Sequence, residues 1–112
     1  MKFVLIGAVA VTATALISPA MAGADTAPKF DIARECRAEG GAADVQQKCA
    51  DDERQAYNQV QKEWAQFSAP ARAQCIGEAS MDGTASYVEF LTCLEMERDV
   101  TAERQAAARS SK

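Results

Sequence analysis

Apolar side chains recur at helical spacing along most of the chain, and the clearest example runs from Asp44 to Phe67. The apolar residues of this stretch are three, four or seven positions apart, which places them on one stripe of a helix: Val45, Cys49, Ala56, Val60, Trp64 and Phe67. Asp44 can cap this long helix. A second capping signal at Ala50-Asp51 could divide it into a short helix followed by a long one.

Helix-ending residues define one short helix before this stretch and another helix after it. Asp31 can cap a helix that starts after Phe30 and stops at Gly40-Gly41. A third helix, from Pro70 to about Ala79, starts where the long helix stops. Proline can end one helix and begin the next because it disfavours helical backbone at the residue before it but fits the first turn of a new helix.

A fourth helix follows the turn at Asp82-Gly83, a dipeptide that favours chain reversal. Ser86 and Glu89 have the spacing of a capping box, in which the hydroxyl binds the Glu89 amide and the carboxylate reaches back. The apolar stripe of this helix consists of Tyr87, Phe90, Leu91 and Leu94. Residues 101–112 have no apolar side chain larger than alanine, so we expect a frayed helical tail there. With no strand-like alternation in the chain after its leader, the sequence predicts an all-α fold of about four helices.

The first 22 residues have the three parts of a secretory signal peptide. Lys2 precedes an apolar run from Phe3 to Ile17, and the small residues of Ala20-Met21-Ala22 form a cleavage site. The run is shorter than the roughly 20 apolar residues that span a membrane. We therefore expect a signal peptide over residues 1–22, cleavage after Ala22 and no stable membrane anchor. The alternative is an uncleaved anchor.

Composition divides the mature chain into three parts. Residues 23–29 are small, polar and interrupted by a proline, so we expect a disordered arm; a helical domain over residues 30–100 and the tail over 101–112 follow. The full chain has a net charge of −4, and loss of Lys2 with the leader makes it more acidic. An acidic protein is a poor partner for nucleic acid or an anionic membrane, and it attracts cationic partners.

Four cysteines in a small exported chain indicate a disulfide framework. Cys36 and Cys49 flank the first predicted reversal. Cys75 and Cys93 flank the second. Residues at similar distances from a turn face each other in an antiparallel hairpin, as a disulfide requires. Each cysteine would then pair with its neighbour in sequence, which gives two disulfide-stapled helical hairpins; pairing of the first with the fourth and the second with the third is the alternative.

No catalytic, metal-binding or cofactor-binding motif is recognisable in the sequence. The chain has no histidine, the usual general base, and its cysteines are too far apart for a zinc site or a Cys-x-x-Cys redox motif. The consecutive acids Asp51, Asp52 and Glu53 could support carboxylate catalysis, but acids near a helix start commonly project into water. We expect no enzyme activity, no metal and no cofactor, and we expect Ser86 to be a helix cap rather than a nucleophile.

The candidates for partner binding are these acids and two aromatic residues. Asp51, Asp52 and Glu53 would face a cationic partner. Trp64 and Phe67 could line a groove, although aromatic residues on an apolar stripe more often belong to a core. An exposed apolar patch beside the two rings would favour a binding module. A polar surface there would favour a structural role.

Parts of the chain resemble known groups of exported bacterial proteins. Cys36-Arg37, Cys49 and the following Asp51, Glu53, Ala56, Val60 and Trp64 resemble the helical Cys-x(11–12)-Cys pattern of lysozyme inhibitors of the LprI type. Cys75-Ile76-Gly77-Glu78 and residues 86–94 resemble a group of small exported cysteine-containing helical proteins of alphaproteobacteria. The first resemblance implies binding to a lysozyme, and the second implies no particular activity.

These features predict an exported, non-catalytic small helical protein, periplasmic or secreted, that serves as a binding or inhibitor-like module. Its partner would be another envelope or host protein, cationic and lysozyme-like. The alternative is a structural or stress-related cell-envelope protein without a specific ligand.

Overall fold

The computed structural model describes residues 7, 10 and 26–111, and within residues 26–111 it contains helices and no strands. The α-helices are α1 (Ile32–Glu39), α2 (Ala43–Glu63), α3 (Ala69–Ala79) and α4 (Tyr87–Ser110), with a 3₁₀ turn at Trp64–Gln66 between α2 and α3. The prediction of an all-α fold is confirmed. The predicted signal peptide over residues 1–22 lies outside the described residues apart from two isolated positions, and so do residues 23–25 and Lys112.

α1 and α2 form the first hairpin, whose reversal depends on two glycines. α1 begins after Asp31, whose carboxylate accepts a hydrogen bond from the Arg34 amide at 3.0 Å, as the sequence predicted. The helix ends at Gly40, and Gly41 has a φ of +103°, in the region that favours glycine. A Cβ atom on Gly41 would lie 2.8 Å from Cγ1 of Val45, so a larger residue does not fit here.

α2 differs from its prediction in two respects. Its N-cap residue is Ala42, which makes no side-chain capping bond, and Asp44 lies inside the first turn, where its charge favours the helix dipole. The helix is also continuous where the sequence suggests a break. Asp51 does not cap a new helix because its carboxylate accepts bonds from Gln47 and Arg54, one turn away on the same helix.

α3 and α4 form the second hairpin, and side-chain caps mark the start of each helix. The Ser68 hydroxyl accepts a bond from the Ala71 amide at 3.2 Å and begins α3. Gly83, with a φ of +84°, supplies the reversal. The Ser86 hydroxyl accepts a bond from the Glu89 amide at 3.3 Å, which confirms Ser86 as the predicted cap of α4.

One disulfide closes each hairpin. Cys36 is bonded to Cys49, with Cα atoms 5.7 Å apart. Cys75 is bonded to Cys93, with Cα atoms 5.6 Å apart. The predicted pairing of sequence neighbours is confirmed and the nested alternative is wrong. Two disulfides in a small chain are typical of an oxidising compartment.

The core lies where α4 packs across α2 and α3. Its most enclosed side chains are Val60 from α2, Cys75 from α3, and Phe90 and Leu94 from α4. Aromatic rings surround Phe90, since the ring centroids of Phe30 and Trp64 lie 5.5 Å and 6.2 Å from its own. Rings at such distances and angles attract one another in addition to burying apolar area.

The sequence predicts a disordered arm over residues 23–29, of which the structure describes residues 26–29, and this part packs against the core. Ala27 is buried. The Tyr87 hydroxyl donates to the carbonyl oxygen of Pro28 at 2.8 Å and accepts from the amide of Phe30 at 2.6 Å. One largely buried hydroxyl thus satisfies a backbone group at Pro28 and another at Phe30, just after the predicted arm, a contact that composition does not show.

α4 continues to Ser110, so the tail predicted over residues 101–112 is helical through that residue. The side chains of residues 101–111 are all exposed. Fraying of this part stays a prediction. Within residues 26–111, no helix combines the length and apolar character needed to cross a membrane.

Candidate binding surface

The two aromatic candidates are core residues. Trp64 is 7% exposed and Phe67 is 3% exposed, so neither ring is free to receive a partner. The guanidinium of Arg72 lies 4.3 Å from the centroid of the Trp64 ring, and that of Arg98 lies 5.4 Å from the Phe67 ring. Both rings are therefore core residues, the role predicted from sequence as the commoner one for aromatic residues on an apolar stripe, and Phe67 also lines the depression between α3 and α4 described below.

Asp51 and Asp52 face water as predicted, but neither charge is isolated. Asp52 pairs with Lys48 at 2.8 Å and Asp51 pairs with Arg54 at 3.1 Å, both along the exposed side of α2. The Asp52 carboxylate raises the pKa of Lys48 through a hydrogen bond and its charge. The positive partners offset the acidic field of these two residues, which weakens them as an electrostatic attraction site.

Glu53 does not face water, which corrects the expectation from sequence. It is 3% exposed, and its carboxylate points at the start of α4. There it accepts hydrogen bonds from the Ser86 hydroxyl at 2.7 Å and from the amides of Tyr87 at 2.6 Å and Val88 at 3.5 Å. The first amides of a helix have no partner within the helix, and a buried carboxylate satisfies them while favouring the positive end of the dipole. Glu53 is thus a structural residue.

A groove runs between α2 and α4. It is open to solvent, has a volume of about 350 Å³, and is lined by Asp52, Gln55, Ala56, Gln59, Val88, Leu91 and Thr92. Val88 is 42% exposed although it is apolar, and Leu91 and Ala56 form the floor beside it. Of the residues proposed from sequence, Asp52 alone belongs to this groove. An apolar floor with an amide and carboxylate rim is typical of a protein-binding surface.

Sequence reasoning missed Val88 and assigned Leu91 to the core. The available signal was the spacing of Val88 and Leu91, which are three residues apart on α4, so that Leu91 lies between the exposed Val88 and the core. An apolar pair beside a core stripe indicates a widened apolar face. Recognising it as a surface also requires the position of α2, which the sequence does not provide.

A second depression lies beside Phe67, between the start of α3 and the second half of α4. Its volume is about 240 Å³; its lining residues are Gln66, Phe67, Ser68, Ala71, Leu94, Glu97, Arg98, Thr101, Ala102 and Gln105. Arg98 donates to Glu63 at 2.9 Å, and this bond lowers the pKa of the Glu63 carboxyl. The lining of this depression is therefore mixed, because the apolar Phe67, Leu94 and two alanines lie beside polar and charged side chains.

Within the part of the chain that the structure describes, no three histidine, cysteine or acidic side chains are grouped so that they could hold a metal ion. The chain matches no protein-family model, and neither a curated protein nor a solved structure is detectably similar to it.

Proposed function

We propose that this chain is an exported, non-catalytic binding module, periplasmic or secreted, that docks a cationic protein on the groove between α2 and α4. The observation that carries the proposal is Val88, an apolar side chain left 42% exposed in a groove with Leu91 and Ala56. Burying such a side chain under a partner is favourable.

The shape of the groove favours a polypeptide over a small molecule. Small-molecule sites are concave and bury most of their ligand, whereas this groove is shallow and open along two helices. Val88 and Leu91, one helical turn apart, could contact successive apolar side chains of a partner helix. The amide groups of Gln55 and Gln59 supply hydrogen-bonding positions along the opposite edge.

Charge and compartment support the choice of partner. The chain is acidic overall, which attracts basic proteins and lowers the affinity for nucleic acid. Its two disulfides and the features of its leader fit an oxidising compartment outside the cytoplasm. The resemblance to LprI-type inhibitors makes a lysozyme a suitable first probe.

One observation favours a second function, that of a structural or stress-related envelope protein without a specific ligand. The large apolar residues exposed outside the α2–α4 groove, such as Val45, Met81 and Met96, are scattered, and none of the three lines either depression. A surface of scattered apolar residues is ordinary for a monomeric protein.

Titration calorimetry with a c-type lysozyme distinguishes these functions. We expect the oxidised protein to bind, and Val88→Arg to reduce the affinity about tenfold or more, because it places a charge on the apolar floor and repels a basic partner. Val45→Arg is the matched control, since Val45 is an exposed valine in the first turn of α2, outside the groove. Equal weakening by both variants would contradict docking at the groove. Absence of heat at low and high salt would favour the structural function.

A further inference from the structure

The two sulfur atoms of the Cys75–Cys93 disulfide differ in their access to solvent. Cys75 is fully buried in the core, whereas Cys93 is partly exposed at its edge. A thiol in solution can therefore reach the sulfur of Cys93 but not that of Cys75. The rate of thiol–disulfide exchange depends on access to the sulfur that is attacked, so exchange at this bond begins at Cys93.

A carboxylate lies against the accessible sulfur. Oε2 of Glu78 is 3.2 Å from Sγ of Cys93. A sulfur in a disulfide carries no hydrogen, so the carboxylate receives no hydrogen bond from it and places negative charge where a reagent would attack. Glu78 belongs to α3 and Cys93 to α4, so this contact depends on the packing of the two helices.

Gln74 holds the carboxylate of Glu78 in this position. Its Nε2 atom donates to Oε1 of Glu78 at 3.2 Å and to Oε1 of Glu97 at 3.4 Å. Glu97 follows Cys93 by one turn of α4, which adds a second carboxylate to the same region. The ion pairs within residues 26–111 involve other acids, so the charges of Glu78 and Glu97 are not offset in that way.

We propose that Cys93 is a charge-selective site for thiol exchange, at which Glu78 repels anionic thiols and admits cationic ones. The attacking thiolate bonds to Sγ of Cys93, the S–S bond breaks, and Sγ of Cys75 leaves with the electron pair and is then protonated by water. A second reagent thiolate attacks the reagent sulfur of this mixed disulfide and displaces Cys93, which is protonated in turn. Two reagent thiols are thereby oxidised to one disulfide, and the protein disulfide is reduced to two thiols.

The selectivity arises in the first of these steps, since the attacking thiolate brings negative charge toward Glu78. Further negative charge on the reagent increases the repulsion, and an ammonium group on the reagent offsets it. Two unit charges about 4 Å apart in water interact by about 1 kcal/mol, which corresponds to a change in rate of about fivefold. The step is slow for every reagent because the thiolate of Cys75 forms in apolar surroundings, which disfavour it.

The test measures how fast three thiols of different charge reduce this bond in the mature, disulfide-bonded protein at one pH. The thiols are glutathione, which is anionic, 2-mercaptoethanol, which is neutral, and cysteamine, which is cationic. Wild type is compared with Glu78→Gln and with the control Glu103→Gln, which is exposed on the same helix as Cys93. Glu103 lies about 15 Å along α4 from Cys93, beyond the Debye length of about 10 Å at 0.1 M salt.

Alkylation of the released thiols, followed by peptide mass spectrometry, reports the reduction of each disulfide separately. Thermal unfolding of each variant checks that the fold is intact. Each comparison is made between two proteins with the same reagent, so the intrinsic reactivity of the reagent cancels. The Cys36–Cys49 bond is an internal reference, because its rate of reduction should be the same in wild type and in Glu78→Gln.

We expect Glu78→Gln to speed the reduction of Cys75–Cys93 by glutathione about fivefold and by cysteamine less than about twofold, with 2-mercaptoethanol between them. Salt at about 1 M should reduce these differences, because the Debye length falls to about 3 Å. Equal acceleration of all three thiols would mean that Glu78 shields the sulfur by its bulk, and would overturn the proposal. Unchanged reduction by glutathione, or the same acceleration in Glu103→Gln, would also overturn it.

Discussion

At the scale of single residues, Glu53 shows how one carboxylate can organise two distant parts of a chain. It satisfies the hydroxyl of Ser86, 33 residues away, and the amide of Tyr87. The capping box predicted from sequence is right for the Ser86 hydroxyl, while the carboxylate that binds the start of α4 comes from α2. Local spacing predicts only local bonds, and Asp51, Asp52 and Glu53 are alike in sequence. Only the placement of α4 over α2 selects Glu53 for burial.

Replacing Glu53 with alanine should destabilise the protein strongly. The change leaves buried donors of Ser86 and Tyr87 without an acceptor, and each such group costs about 1 to 3 kcal/mol. Urea unfolding followed by circular dichroism would measure the free energy of unfolding. Asn58→Ala, at an exposed site on the same helix, is the control and should stay within about 0.5 kcal/mol of wild type. Equal stability of the two variants would show that Glu53 is not a cap.

Glu89 should make stability depend on pH in an identifiable direction. Its carboxyl has a raised pKa in the folded state, so the folded protein favours the protonated form. That contribution is complete below the ordinary glutamate pKa of about 4.3 and is lost as pH rises through the raised value. The glutamine of Glu89→Gln stays neutral at every pH. The free energy of unfolding of this variant, relative to that of wild type, should therefore increase from pH 3 to pH 7.

The test is to measure the urea concentration at the unfolding midpoint across this pH range. It compares wild type with Glu89→Gln and with the exposed control Glu103→Gln. The lowered pKa of Glu63 acts in the opposite direction, since its stabilisation is lost as pH falls through that lowered value. It is present in all three proteins and cancels in the comparison. A stability difference between Glu89→Gln and wild type that decreases toward pH 7 would contradict a raised pKa of Glu89.

At the scale of elements, the residues that end helices were the most predictive part of the sequence. Asp31 and Ser86 cap the helices that they were expected to cap, and Gly40 ends α1. These signals act within one helical turn, so sequence contains them fully. The N-cap of α2 at Ala42 and the continuity of the helix were not predicted, because a 21-residue helix that packs on α4 tolerates a weak cap and an internal acidic pair.

The two disulfides should differ in what they stabilise. α1 has 8 residues, too few to be stable alone, and Cys36–Cys49 holds it to α2. Cys75 is fully buried in the core between α3 and α4. Closing loops of about 15 residues is worth about 3 kcal/mol in the entropic model. We expect Cys36→Ser/Cys49→Ser to release α1 alone, and Cys75→Ser/Cys93→Ser to destabilise the whole core.

Hydrogen exchange of backbone amides separates the two outcomes. In the first double variant, fast exchange should be confined to α1 and its connection to α2, with α3 and α4 still protected. In the second, protection should fall in α2, α3 and α4 together. Uniform loss of protection in both variants would mean that α1 is an integral part of the core.

At the scale of the whole molecule, sequence predicted the architecture but not the surfaces. Helical periodicity and the two reversals were sufficient for twin hairpins and their disulfides, since both are local in the chain. The groove combines residues from α2 and α4. Such surfaces depend on how the hairpins pack on each other. The burial of Trp64, Phe67 and Glu53 depends on the same packing, which the sequence alone does not show.

The consecutive pairing of the cysteines has a consequence for biogenesis. Cys36 and Cys49 are separated by 13 positions, and Cys75 and Cys93 by 18, so neither bond encloses a cysteine of the other. A chain that enters an oxidising space from its N-terminus presents Cys49 as the first available partner of Cys36, before the other two thiols arrive. An oxidase that joins cysteines in the order of their appearance therefore makes the native bonds directly, and no later reshuffling by an isomerase is required.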